Sequence, residues 1–325
     1  MRHGSLQFYP RKRAARILPR VNWNYLKNLN KNKTVSLLGF IGYKVGMKSA
    51  YVKDNTPNSL TKGKRIVIPV TIIEFPTIKI LSVRFYKNNK VIGEVLNSNL
   101  DKELKKKIKL PKNIKNRIEE FEKNSGNYDD VRVIIYSQAK KTAIKKTPDA
   151  VEIALSGTKE EKLNFIKDNL NKELNINNFL NEEFLKQGLI DIRGVTKGKG
   201  FQGSTKRFGL SLQSHKTEKG VRGPGSGGPW HPARVDFTQP MAGQMGYFTR
   251  TIYNNKVIFV GDFKKIKEEK INPKQGFKNY GIIKNDYAIV YGSVQGPSKR
   301  QLMITTPLRP SKYHIKKNYE FLELR

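Results

Sequence analysis

Apolar residues cluster in short runs near both ends of the chain and thin out between them. Three runs rich in Val, Ile and aromatic side chains occupy residues 37–43, 66–75 and 78–86, and four more follow at 189–195, 256–263, 286–294 and 301–306. Such side chains favour a pleated, packed surface, so each run is read as a strand. Pro69 and Pro76 lack the backbone N–H that a central strand needs, which predicts edges or bends there. Residues 87–188 change character. Helical spacing appears at 101–109 and at 113–123, where Ile114, Ile118 and Phe121 share a face and Gly126 lies beyond the end. Residues 131–137 read as a buried strand. Thr158 and Glu161 fit a capping box, in which hydroxyl and carboxylate satisfy exposed amides at a helix start, and Leu163, Ile166 and Leu170 follow at helical spacing. A second short helix over 178–187 closes at Gly188.

Early and late strands separated by an insert and a long loop predict a mainly β fold, a closed barrel to which both ends contribute, with an α/β insertion. The expected organisation is an extended N-terminal arm over 1–34, broken by Pro10 and Pro19, and a first part of the barrel over 35–86. The insert covers 87–188, a barrel strand 189–204, an extended finger 205–250, and the last part of the barrel with a C-terminal tail 251–325. No internal repeat is evident.

Charge changes the picture. The 325 residues are 37% hydrophobic and carry a formal net charge of +36. With a pI near 10.1, the partner belongs among polyanions: RNA, DNA or an anionic membrane surface. No run approaches the roughly 20 apolar residues of a membrane span. The basic N-terminus has no apolar segment behind it to make a secretory signal, so cytoplasm is the expected compartment. With no cysteine, disulfides, thiolate metal sites and a Cys nucleophile are excluded.

Placement of the charge says more than its total. Residues 1–53 hold twelve Lys/Arg and no acid, whereas residues 94–186 balance nineteen bases against sixteen acids. The stretch 193–250 holds ten Lys/Arg, two acids and twelve glycines. Too little apolar material lies between those glycines to bury a core. Nucleic acid can order such a segment by neutralising its charge and packing on its backbone; the alternative is a disordered basic linker. The aromatics spaced along it favour nucleic acid.

Gly198, Gly200 and Gly203 match G-x-G-x-x-G, but residues 204–209 are expected not to form the apolar helix a dinucleotide site requires. His3, His215, His231 and His314 are scattered and make no metal set. Asp129 and Asp130 could serve metal-dependent phosphodiester chemistry, although they read more simply as the end of a loop before a strand. The sharpest local feature is 227–234, GGPWHPAR. Its glycines permit close backbone approach and its prolines stiffen the turn, while Trp230 and His231 present flat rings beside Arg222 and Arg234. Such rings stack on unpaired bases. A Trp anchoring the loop back onto its own barrel is the competing reading.

RHGSLQFYPRKRA (2–14), GYKVGM (42–47), GVTKGKGFQG (194–203), GPWHPARV (228–235), GQMGYFTRT (243–251) and GSVQGPSKR (292–300) resemble, in order and over nearly the whole chain, the universal third-protein family of the large ribosomal subunit. The archaeal and eukaryotic branch is the more similar one. The finger departs from the pattern, with few bases over 209–225 and an unusually glycine-rich GPGSGG. The resemblance implies a six-stranded translation-factor-like barrel, an inserted α+β domain, and an arm and finger that penetrate large-subunit rRNA. It implies no catalytic residue, cofactor or metal, and a cytoplasmic place in the large subunit. The expected partners are that rRNA and neighbouring ribosomal proteins, with no membrane, DNA or homo-oligomer. The rRNA-contacting residues it implies, together with the charge, are Arg2, His3, Arg11, Lys12, Arg13, Arg16, Lys197, Lys199, Lys206, Arg207, Arg222, Trp230, His231, Arg234, Arg250, Lys299 and Arg300. Trp230 and His231 would lie near the peptidyl-transferase centre, and the family's histidine at the latter position can be methylated. Two rivals stand beside this: an RNA-modifying or RNA-cleaving enzyme using Asp129, Asp130 or Asp191, and an architectural protein of duplex DNA.

Overall fold

The computed structural model describes residues 4–25, 35–111, 127–179, 188–228, 230, 233–265 and 271–325. The helix expected at 113–123, and the part of that at 178–187 beyond residue 179, lie outside these residues. The described strands are β1 (Gly39–Asp54), β2 (Arg65–Phe75), β3 (Ile78–Lys87), β4 (Lys90–Leu96), β5 (Asp130–Ser137), β6 (Ala150–Ala154), β7 (Leu189–Val195), β8 (Gly198–Gln202), β9 (Gly243–Gly246), β10 (Thr249–Gly261), β11 (Asp286–Tyr291), β12 (Gln301–Thr305) and β13 (Tyr319–Leu324). The chain is mostly β. It divides into two compact units, one of Met1–Ile17 with Val195–Arg250, the other of Leu18–Gly194 with Thr251–Arg325.

The larger unit holds two sheets. In one the order is β12-β7-β10-β11-β2-β1-β13, and β1 also pairs with β12, so six strands close on themselves and β13 hangs on β1. Closure requires β1 to change neighbours. Its first residues, 39–43, pair with β12, and its last, 50–54, pair with β13. The register against β2 shifts between Lys44 and Gly46, where the change falls. An extra residue there bends the strand and increases its twist, which lets it leave one partner and find another. The second half of β1 alternates, with Ala50 and Val52 buried and Lys53 exposed between Val52 and Asp54. The expected strand at 37–43 therefore continues well beyond its apolar run.

The second sheet has the order β4-β3-β5-β6. The run at 78–86, grouped with the barrel from sequence, belongs here instead: β3 pairs with β4 on one side and β5 on the other. Pro76 breaks the ladder between β2 and β3, and both edges of β3 are then satisfied within the second sheet. A helix, α1 (Lys159–Asn169), carries the expected capping box, with the Thr158 hydroxyl accepting from the Glu161 N–H and the Glu161 carboxylate accepting in return. The helix expected at 101–109 is only a 3₁₀ turn over Lys102–Lys106, since Leu104 alone is buried and no apolar stripe supports longer helix.

One core spans both sheets, joining Phe40, Tyr43 and Ile73 with Ile80, Val133 and Leu163. Several polar groups buried with it are paired. Tyr43 donates its hydroxyl to Asp149 at 2.6 Å and lies 2.8 Å from the Ser137 hydroxyl, while burial, and then the Asp149 charge, push its own ionisation well up. Lys162 and Asp130, both buried, meet at 2.8 Å, with Arg132 at 3.2 Å from the same carboxylate. Residues read from sequence as one arm divide between the units. Residues 4–17 fall in the smaller one, whereas Pro19 and Trp23 are buried in the larger. Trp23 donates its indole N–H to the Glu152 carbonyl at 2.8 Å and packs so tightly that a Cβ on Gly39 would lie 2.7 Å from its ring. Trp23→Ala is expected to lower stability by about 3–5 kcal/mol. Urea unfolding of the purified chain checks this; a loss below about 1 kcal/mol would contradict the packing.

Candidate nucleic-acid interface

Glycine fixes the base of the smaller unit. β8 and β9 form a two-stranded ribbon, continued by bonds from Tyr247 N–H to Lys197 O (3.1 Å) and from Thr196 N–H to Phe248 O (3.0 Å). At Gly246, φ is 69° and a Cβ would fall 2.1 Å from the Lys197 carbonyl, so only glycine fits. After the ribbon comes one turn of helix, α2 (Ser204–Phe208), ended by Gly209 at φ 68°. This turn is short and polar. Only Ser204 of it is buried, so it is not the apolar helix a dinucleotide site needs. Ser204 and Thr205 donate their hydroxyls to the Arg222 carbonyl at 3.2 and 3.1 Å, tying the far limb of the loop to this turn.

Arg207 is the hub. Its guanidinium donates to the carbonyls of Gln244 (2.9 Å), Met241 (2.9 Å) and Arg11 (3.2 Å). Arg11 reciprocates, donating to the Arg207 carbonyl at 3.1 Å. A planar fork with five donors can serve three carbonyls at once, which an ammonium cannot do in the same geometry. Thus the arm, the helical turn and the returning strand meet at one side chain. A further bond runs from Ala14 N–H to Tyr247 O at 2.9 Å.

Around this hub arginines alternate with rings. Arg11 lies 4.3 Å from the Phe208 centroid and 5.5 Å from that of Tyr9, whose ring stacks on Phe208. Arg13 faces Tyr247 at 5.2 Å, and Arg250 faces Phe8 at 4.3 Å and Phe248 at 5.1 Å. The unit contains fourteen Lys/Arg against Glu218 and Asp236. Burial, and then the charge of Arg11, hold the guanidiniums of Arg207 and Arg250 below their ordinary value, though an arginine stays protonated. Each ring contact returns about 0.5–2 kcal/mol against that repulsion. An anion would return more, because charge-assisted bonds contribute about 1.5–3 kcal/mol each.

The expected contact residues fall into four groups. Arg11, Arg13, Arg207 and Arg250 form the cluster just described. Lys12, Arg16, Lys197, Lys199, Lys206, Arg222 and Arg234 are exposed, as is Trp230, with 82% of its surface accessible. Lys299 and Arg300 lie in the larger unit, and Arg2, His3 and His231 fall outside the described residues. Sequence reasoning missed Phe201 and Phe237, exposed at 76% and 71%. Their signal was present, since each is an aromatic between glycine or polar neighbours with no apolar partner in register. It also missed that Arg207 supports the backbone.

The acids considered for chemistry are engaged elsewhere. Asp130 holds Lys162 and Arg132, Asp129 accepts from the Asn88 N–H at 2.8 Å, and buried Asp191 accepts from the N–H groups of Asn254 and Leu308. Among the described residues no three His, Asp or Glu side chains gather to hold a metal ion. Arg207→Ala and Arg207→Lys should each raise amide exchange at 204–208 and 241–247 at least tenfold, or about 1.4 kcal/mol, with the larger unit unchanged. Exchange mass spectrometry of the purified chain reads this; unchanged rates in the alanine variant would contradict the hub.

Residues 1–323 match the family described as Ribosomal protein L3. "Large ribosomal subunit protein uL3" of Methanocaldococcus jannaschii is 42% identical over 325 residues, covering 97% of this chain and 93% of that protein. Its namesake in Methanobrevibacter smithii is 41% identical over 321 residues, covering 95% and 92%. That of Archaeoglobus fulgidus is 40% identical over 324 residues, covering 97% and 93%. A match along almost the full length, with relatives at this identity, makes the chain a member of the ribosomal protein L3 family.

Proposed function

We propose that the chain is a structural, non-enzymatic constituent of the large ribosomal subunit in the cytoplasm, binding and organising its rRNA beside neighbouring ribosomal proteins. The observation that carries this reading is the smaller unit's cluster of arginines interleaved with rings, with fourteen bases to two acids and Trp230 exposed in the same unit. Family membership supports the same assignment. The six-strand closed sheet serves as the translation-factor-like barrel, and 205–250 as the finger.

In this reading, Lys12, Arg16, Lys197, Lys199, Lys206, Arg222 and Arg234 neutralise phosphates that close packing of RNA helices would otherwise bring into repulsion. The arm and finger act together on RNA because Arg11 and Arg207 bind each other's backbone. Trp230 and His231 occupy the place of the family's finger motif and buttress RNA near the peptidyl-transferase centre. Stacking on an unpaired base there is worth about 1–3 kcal/mol. Peptide-bond chemistry belongs to the RNA, and the protein tunes its shape. By joining RNA segments far apart in sequence, the chain also favours assembly.

Replacing residues 222–234 by a short Gly-Ser link should slow late large-subunit assembly or peptidyl transfer in a strain carrying only that chain. The larger unit should stay folded, as judged by its unfolding transition. Unchanged growth and unchanged peptidyl transfer would overturn the finger's role.

A further inference from the structure

A second basic site lies in the larger unit. A cleft of about 580 Å³ opens between the bulge of β1 and residues 273–279, with Ser298 on its rim. Exposed Lys48, Lys274 and Lys278 line it together with half-exposed Met47 and the edge of buried Phe277, and none of its lining residues is acidic. Its volume falls within the roughly 300–1,000 Å³ range of sites that enclose a small ligand.

The walls are fixed before any ligand arrives. Glu74, buried in β2, accepts from the N–H groups of Lys284 and Asn285 at 2.9 Å, from the Asn285 side chain at 2.7 Å and from the Tyr280 hydroxyl. Asn272 and Ile283 exchange two bonds, and Phe277 N–H meets Gly281 O at 2.7 Å. On the other wall, buried Lys44 donates its ammonium to the carbonyls of Val294 and Gly296. The Lys44 carbonyl accepts from Lys299 N–H at 2.8 Å, holding Lys299 at φ 68°, a backbone conformation uncommon for lysine. A preformed cleft with apolar depth and three ammonium groups at its mouth suits a flat ring carrying phosphate.

We propose that this cleft takes one unstacked nucleotide of large-subunit rRNA, its base against Met47 and Phe277 and its flanking phosphates on Lys48, Lys274 and Lys278. The proposal rests on the rRNA-binding function argued above and adds a second, independent contact to it. RNA is favoured over a free nucleotide because three cations around an open mouth match successive backbone phosphates.

The test places a photoreactive benzoylphenylalanine at Met47 and, in a parallel chain, at Phe201 of the smaller unit, in large subunits isolated from cells. The Met47 probe is expected to crosslink rRNA, and K48A/K274A/K278A should cut that yield at least fivefold. All three lysines are exposed, so the variant is expected to fold, which its unfolding transition verifies. Crosslinking to RNA from Phe201 but only to protein, or to nothing, from Met47 would overturn the cleft and leave the functional reading intact. No RNA crosslink from either position would overturn both. An undiminished Met47 crosslink in the lysine variant would overturn the phosphate contacts. Micromolar binding of adenosine monophosphate to the free chain, without an RNA crosslink at Met47, would replace RNA by a free nucleotide as the occupant.

Discussion

Packing arginines against one another without an acid between them is the constraint on which the smaller unit depends. Hydrophobic burial cannot organise a segment with so many glycines, and Glu218 and Asp236 are too few to neutralise fourteen bases. The sequence meets this by giving guanidiniums two kinds of partner that carry no formal charge: backbone carbonyls and aromatic faces. Arg207 and Arg11 take the carbonyls and thereby fix the backbone. Residual positive charge is left outward, where phosphate is the stronger partner. In the proposed rRNA-binding role, the contacts that hold the unit together also leave its positive charge for the RNA.

The larger unit solves the opposite problem by ordinary means. Its core crosses two sheets, and buried polar pairs such as Lys162 with Asp130 and Tyr43 with Asp149 are matched by opposite charge or a hydroxyl. Each of these side chains would be costly if left unpartnered. Signs are balanced where the chain packs on itself and unbalanced where it is argued to meet RNA. That contrast was visible as a count along the sequence before any fold was known.

Legibility followed the range of the interaction. The capping box at Thr158 and Glu161 is local, and it was read correctly from four residues. Strand β7 was read with its observed limits, because Leu189, Ile190, Ile192 and Val195 mark both ends of a run whose two faces are buried. The far half of β1 was missed because its Lys44, Lys48 and Lys53 interrupt the run while Ala50 and Val52 still face inward. The assignment of β3 to the second sheet could not be read, since a strand's pattern states how it is buried and not which strand it pairs with. In the smaller unit, the exposure of its outer cations and of Trp230 follows from charge and the absence of a core. The Arg11–Arg207 exchange does not, because its partners are 196 residues apart and its acceptors are carbonyls, which every residue possesses.

Whether the chain is built into the large subunit is read by sedimenting a cell lysate through a sucrose gradient at several hundred millimolar salt and probing each fraction for it. Contacts through a few phosphates are largely lost under such conditions, whereas a chain built into folded RNA through many contacts is retained. The account predicts stoichiometric retention with the large subunit. Release of the chain to the top of the gradient would contradict it and mark the protein as a dissociable factor.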